Sequence, residues 1–180
     1  MTIVVSPNVS AETTSHIQAN STNEYIYTNE FGNEMIFPTI EDYDIYVFAH
    51  RATQPRYGEI WLLEETLETS KIRHHFLDYH SGTPVWSPAS SYTINRGTTY
   101  NVGGDYSWKG ISLDLGFSYS FSVDTTIPAN ASKYSRLGVY ADYTLKRERY
   151  AEYKYGQPTG NTRVSTYASR TATYIEPVYQ

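Results

Sequence analysis

The sequence predicts an all-β fold, an antiparallel β-sandwich with long strands, and three observations lead there. First, the run from Gly110 to Thr125 alternates: Ile111, Leu113, Leu115, Phe117, Tyr119, Phe121 and Val123 oppose Ser112, Asp114, Gly116, Ser118, Ser120, Ser122 and Asp124. A period of two belongs to a strand and not to a helix. Second, tyrosine is the compositional outlier, at 19 of 180 residues, and its ring suits a pleated, half-buried surface. Third, further alternating runs recur along the chain between Gly-, Pro- and Asn-containing segments, the arrangement of a sandwich or barrel.

Residues 1–23 are polar and rich in Ser, Thr, Asn and Ala without a usable period, and read as a flexible arm ahead of one domain over 24–180. Tyr25–Thr28 and Glu34–Phe37 flank a turn containing Gly32 and predict a short hairpin. Tyr43, Ile45, Val47 and Ala49 alternate with Asp44, Tyr46, Phe48 and His50, which reads as a central strand. Glu59–Thr69 fits a helix poorly and a strand in part, and its threonines favour the strand. Ile72–Tyr79 alternates again. The two prolines of 81–91 exclude a central strand there. Tyr92–Val102 leads through Gly103–Gly104, a bulge or tight bend, into the long strand over 110–125. Thr126–Arg136 reads as a loop. Leu137–Leu145 is a second long strand, the expected antiparallel partner of 110–125. The charged stretch 146–152 suggests a protruding end or a protected edge. Gly156–Gly160 reads as a turn, and the alternation over 162–178 would close the sheet.

A net charge of −5 leaves no basic footprint for nucleic acid, which is not expected as a partner. The chain has no cysteine, so it has neither a disulfide framework nor thiol chemistry. No apolar run is long enough for a membrane helix. The composition fits a secreted or cell-surface protein whose export signal lies outside this sequence.

His74, Asp78 and His80 fall on one face of the predicted strand 72–79 and its continuation, a spacing that would let them converge on a metal ion, with His50 as a further donor. They would serve a metal-dependent hydrolase. No H-E-x-x-H or cysteine pair accompanies them, and no cofactor is expected. Glu59, Glu64, Glu65 and Glu68 cluster along one segment, which does not supply the two sides of a glycosidase cleft. The serines of 112–122 lie in a regular strand without a nucleophile elbow. Trp86 in its Pro-rich connection, with Tyr92, Trp61 and Trp108, offers an aromatic platform for carbohydrate or protein, because such rings combine apolar area with a polar tip. The Ser-rich alternation of 110–125 with 137–145 also meets the specification of a membrane-inserting β-hairpin, with one lipid-facing and one lumen-facing row.

The run YTINRGTTYNVGG, the Ser-rich strand, the IPAN loop and SRLGVYADYTLKR together resemble the C-terminal part of uncharacterised exported all-β proteins of Gram-positive bacteria, over residues 90–150. That resemblance implies location and fold class and carries no catalytic residues. The Ser-rich hairpin alone resembles that of aerolysin-type pore formers. The expectation is a non-catalytic exported binding protein, with a pore-forming protein and a metal-dependent hydrolase as alternatives.

Overall fold

The computed structural model describes residues 17–21, 25–50 and 58–180. In chain order the elements are β1 (Ile17–Ser21), β2 (Ile26–Thr28), β3 (Glu34–Ile36), α1 (Ile40–Ala49), β4 (Glu59–Tyr79), β5 (Ser87–Pro88), β6 (Ser91–Ile94), β7 (Tyr100–Val102), β8 (Asp105–Trp108), β9 (Ile111–Asp114), β10 (Phe117–Phe121), β11 (Thr125–Pro128), β12 (Tyr134–Lys154) and β13 (Gln157–Tyr179). The fold is all-β with antiparallel pairing throughout, as the composition and alternation predict.

Strands β4, β12 and β13, of 21, 21 and 23 residues, form the backbone of the molecule. β12 lies in the middle, paired to β13 from Ser135 to Lys154 and to β4 from Gly138 to Lys154. Its connection to β13 is the two-residue turn Tyr155–Gly156, with φ of 53° and 79°. Two positive φ values give the primed turn whose twist matches that of the flanking strands.

The odd-numbered side chains Leu137, Val139, Ala141, Tyr143 and Leu145 are at most 1% exposed and face a second layer. That layer consists of the small sheets β1-β10-β7 and β11-β6 and the hairpin β8-β9. It contributes Ile94, Val102, Leu113, Leu115, Phe117, Tyr119, Phe121 and Ile127 to one core. Complete burial of such a side chain contributes about 1.5–3 kcal/mol, so this interface dominates the fold. On the opposite face, near the β12–β13 turn, α1 and the β2–β3 hairpin cover Trp61, Tyr150 and Tyr167 with Phe37, Ile45 and Tyr46. Among the described residues no element covers the remainder of that face, beside the first half of β12, called the open face below.

Several expectations are corrected. Residues 40–49 form a helix, not a strand, because Thr39 caps it by accepting from the Asp42 amide at 3.1 Å and Glu41 and Asp42 occupy its first turn. Asp42 also ties the helix to β13, accepting from Thr166 N at 2.6 Å and from the Ser165 hydroxyl, through its carbonyl, at 2.7 Å. The long strand of 110–125 is divided. Asp114 accepts from Gly116 N at 2.9 Å and turns the chain between β9 and β10, and a bend follows Phe121. Its partners are β8, β7, β1 and β6, while β12 pairs with β13 and β4 instead. The inward alternation of Leu113, Leu115, Phe117, Tyr119 and Phe121 nevertheless holds through the break.

The charged stretch 146–152 is no edge, since β12 is bonded on both sides there. Arg149 is matched across strands, reaching Glu64 at 2.7 Å and Glu65 at 2.6 Å, while Glu152 pairs within β12 with Lys154 at 2.9 Å. The turn near the end of the chain lies at 155–156, and residues 157–160 belong to β13. Part of the predicted N-terminal arm, Ile17–Ser21, pairs with β10, and its other residues lie outside the described ones. The hairpin at 26–36 forms as expected, and residues 59–79 are one strand rather than two.

Candidate ligand-binding face

The open face of the long sheet is paved with rings in unbroken contact. Trp86 meets Tyr79 edge-on at 5.6 Å between centroids, Tyr79 meets Phe76 at 5.1 Å, and Phe76 meets Tyr140 at 5.3 Å. Tyr140 stacks on His74 at 4.4 Å and His74 touches Tyr174 at 5.2 Å. The row therefore crosses from the β4–β5 connection over β4 and β12 to β13. Phe76 is 39% exposed, whereas Trp86, Tyr79, Tyr140 and Tyr174 are half-buried. Gly138 makes the packing possible: a Cβ there would lie 2.9 Å from the Tyr140 ring and 2.7 Å from Val178.

Charged groups frame the row. The Arg136 guanidinium lies 4.2 Å from the centre of the Tyr79 ring and 6.0 Å from that of Trp86, a cation–π arrangement. Its Nε donates to Thr83 O at 2.7 Å. Thr83 is fixed in turn, for its hydroxyl donates to His80 O at 3.1 Å and accepts from Leu137 N at 3.1 Å. At the other end His74 Nε2 lies 2.8 Å from Glu176. Asp142 accepts from His74 N at 2.6 Å, from Arg73 at 2.9 Å and from the Tyr174 hydroxyl at 3.1 Å. Burial pushes the Asp142 carboxyl up, but those three donors outweigh it and hold the group below its ordinary value. Burial also raises Tyr140 and Tyr174, so both hydroxyls keep their protons as donors at neutral pH.

The expected metal trio is separated. Register shifts in the β4–β12 pairing, between Val139 and Tyr140 and between Ala141 and Tyr143, mark bulges that break the simple alternation of β4. His74, at φ 49°, and Phe76 lie on the open face, whereas the His80 ring packs in the core against Tyr100 and Tyr119 at 4.3 and 5.8 Å. Asp78 accepts from its neighbour Tyr79 N at 2.7 Å. Among the described residues no group of three or more His, Cys, Asp or Glu side chains could hold a metal ion.

The aromatic candidates divide likewise. Trp86 belongs to the open row. Trp61 and Trp108 are core residues, 5% and 8% exposed, and Trp61 Nε1 donates to Glu59 at 2.7 Å. Tyr92 is turned towards the core, its hydroxyl donating to Ser135 O at 2.7 Å. The sequence reading missed Phe76, Tyr79, Tyr140, Tyr174 and Arg136 as parts of the face. Their signal was aromatic residues on three separate strand runs, meaningful only once those runs are neighbours.

Chemically the face offers apolar ring area, one cation over aromatic faces and a few fixed polar groups, the equipment of recognition. Comparison of the chain with family models, curated proteins and solved structures finds no match.

Proposed function

We propose that this protein is an exported, non-catalytic binding protein, acting at the cell surface or outside the cell, that seats an extracellular ligand on the open aromatic face of its long sheet. The observation that carries the reading is the unbroken ring row from Trp86 to Tyr174 with Arg136 stacked at one end. A contiguous, partly exposed aromatic row rimmed by charged and polar groups is the kind of surface that marks an interaction site. The resemblance of residues 90–150 to exported β-proteins supports the location.

The experiment is a retention assay on immobilised extracellular polysaccharides and surface proteins, comparing wild type with Trp86→Ala and Phe76→Ala. Each substitution is expected to weaken retention at least about tenfold, the effect of losing ~1.4 kcal/mol, with an unchanged circular dichroism spectrum. A retained ligand indifferent to both substitutions would sink the reading.

The same preparation distinguishes the pore alternative, which draws on the Ser-rich alternation. Phe117, Tyr119 and Phe121, the apolar row such a hairpin would turn to lipid, are at most 2% exposed in the core, so insertion would require that core to be taken apart. Dye-loaded liposomes are expected to remain intact. Release accompanied by ring-sized oligomers would favour the pore reading instead.

A further inference from the structure

Beyond Tyr174 the open face continues into a cleft of about 350 Å³ beneath the β2–β3 turn. Its walls are Asn29, Asn33 and Met35 from the hairpin, and Thr144, Lys146 and Thr171 from β12 and β13. The hairpin's strand register with β13 is Ile36–Ala168 and Met35–Ser169, and the Ser169 hydroxyl donates to Glu34 O at 3.1 Å, so the turn beyond Glu34 lies over the face. β12 itself keeps its alternation, which puts Arg136, Tyr140, Asp142, Thr144 and Lys146 on one side. Asp142 joins the ring row to the cleft: its carboxylate accepts from the Tyr174 hydroxyl and its carbonyl accepts from Thr171, a cleft residue. From Arg136 to Lys146 the groove runs about 33 Å at the usual strand rise.

Hydrogen-bonding capacity in the cleft is uncommitted. Asn29 Oδ1 accepts from the amides of Phe31 and Asn33, and among the described residues its NH₂ group makes no hydrogen bond. Among the described residues the side chains of Asn33 and Thr144 make no hydrogen bond, and Lys146 Nζ has only Glu148, at 3.6 Å. The charges cancel, Lys146 against Glu148 and Arg170 against Glu34 at 3.0 Å. Amide, hydroxyl and ammonium groups without net charge suit a neutral ligand rich in hydroxyls, and the volume suits one sugar residue.

We infer that the extracellular ligand is a neutral glycan chain, which lies along the ring row and places its terminal residue in the cleft under the β2–β3 turn. The inference rests on the binding reading above and adds the ligand class and a second subsite to it. Apolar faces of the sugar rings lie on Phe76, Tyr79 and Tyr140, and hydroxyls of the last residue meet Asn33, Thr144 and Lys146.

The test is calorimetric titration of the whole protein with neutral hexaoses (cellohexaose, maltohexaose and chitohexaose), using wild type, Trp86→Ala, Asn33→Ala and Thr144→Val. At least one hexaose is expected to bind. Each cleft substitution should weaken it about three- to tenfold, and Trp86→Ala by at least as much. Binding lost in Trp86→Ala but unchanged in both cleft variants would overturn the cleft subsite while leaving the ring-row reading intact. Failure of every hexaose to bind, while the protein is still retained through Trp86 on another surface, would overturn the glycan assignment alone. Hexaose binding unaffected by all three substitutions would overturn both. Thermal melts of the variants, expected to match wild type, separate lost binding from lost fold.

Discussion

His80 is 2% exposed, with Nδ1 accepting from Gly82 N at 2.9 Å and no partner for Nε2 among the described residues. Burial alone pulls its pKa down to about 4 from the usual 6.5, because neither Tyr100 nor Tyr119 beside it supplies a charge that would hold the proton. The folded protein therefore keeps the ring neutral while the unfolded chain takes up a proton. The associated stability is complete above pH 6.5 and is lost as pH falls towards 4, by about 3 kcal/mol in all. Urea titrations at pH 7.5 and 4.5 should show this loss in wild type and a shallower one in His80→Gln. Equal slopes for the two proteins would contradict it. His80 also illustrates what a residue reveals by its type. Its histidine identity suggested a ligand, yet its place was decided by bulges in β4 that no local pattern marks. Trp86 was legible because two prolines excluded it from a sheet interior, whereas Trp61 and Trp108 carried no comparable sign of which way they faced.

At the scale of elements, the Tyr155–Gly156 turn sets the register of the longest pairing in the molecule. Gly156→Ala would force a Cβ into a φ of 79° and is expected to cost about 1 kcal/mol, read as a lowered urea midpoint with an unchanged m-value. A changed m-value would mean that the hairpin had rearranged rather than merely weakened. Strand character was legible where residue types alternate along the chain, as at 137–145 and 162–178, although burial itself does not alternate there: Asp142 is buried beside Ala141 and Tyr143, and Ser165, Thr166, Tyr167 and Ala168 are all buried. The helix at 40–49 was missed because its residues also alternate, and the deciding interactions, Asp42 to Thr166 and Ser165, come from a strand more than a hundred residues away. The break in 110–125 was legible only in hindsight. Asp114 and Gly116 stand two apart, the spacing of a side-chain-capped turn, but the inward alternation continues across it.

In the molecule as a whole, β12 is the long strand that is bonded on both sides along nearly its entire length, and its inner face carries fully buried core residues. Its amides between Leu137 and Leu145 are expected to exchange with solvent slowest, at the rate of global unfolding, while those of β4 between Glu59 and Thr66 exchange faster. Hydrogen-exchange mass spectrometry resolving these segments checks the order, and the reverse order would contradict it. The candidate face was largely illegible in the sequence because it is assembled from Phe76, Trp86, Tyr140 and Tyr174, which come together through non-local pairing. The same non-locality shapes the birth of the protein. β4 is synthesised 59 to 95 residues before the β12 residues it will pair with, from Tyr79 against Gly138 to Glu59 against Lys154. At usual ribosomal speeds that is a wait of roughly 3 to 20 s. Leu62, Leu63 and Leu67 are unpartnered throughout it, and Glu59, Glu64, Glu65 and Glu68 stand around them as gatekeepers against premature association with a neighbouring nascent chain.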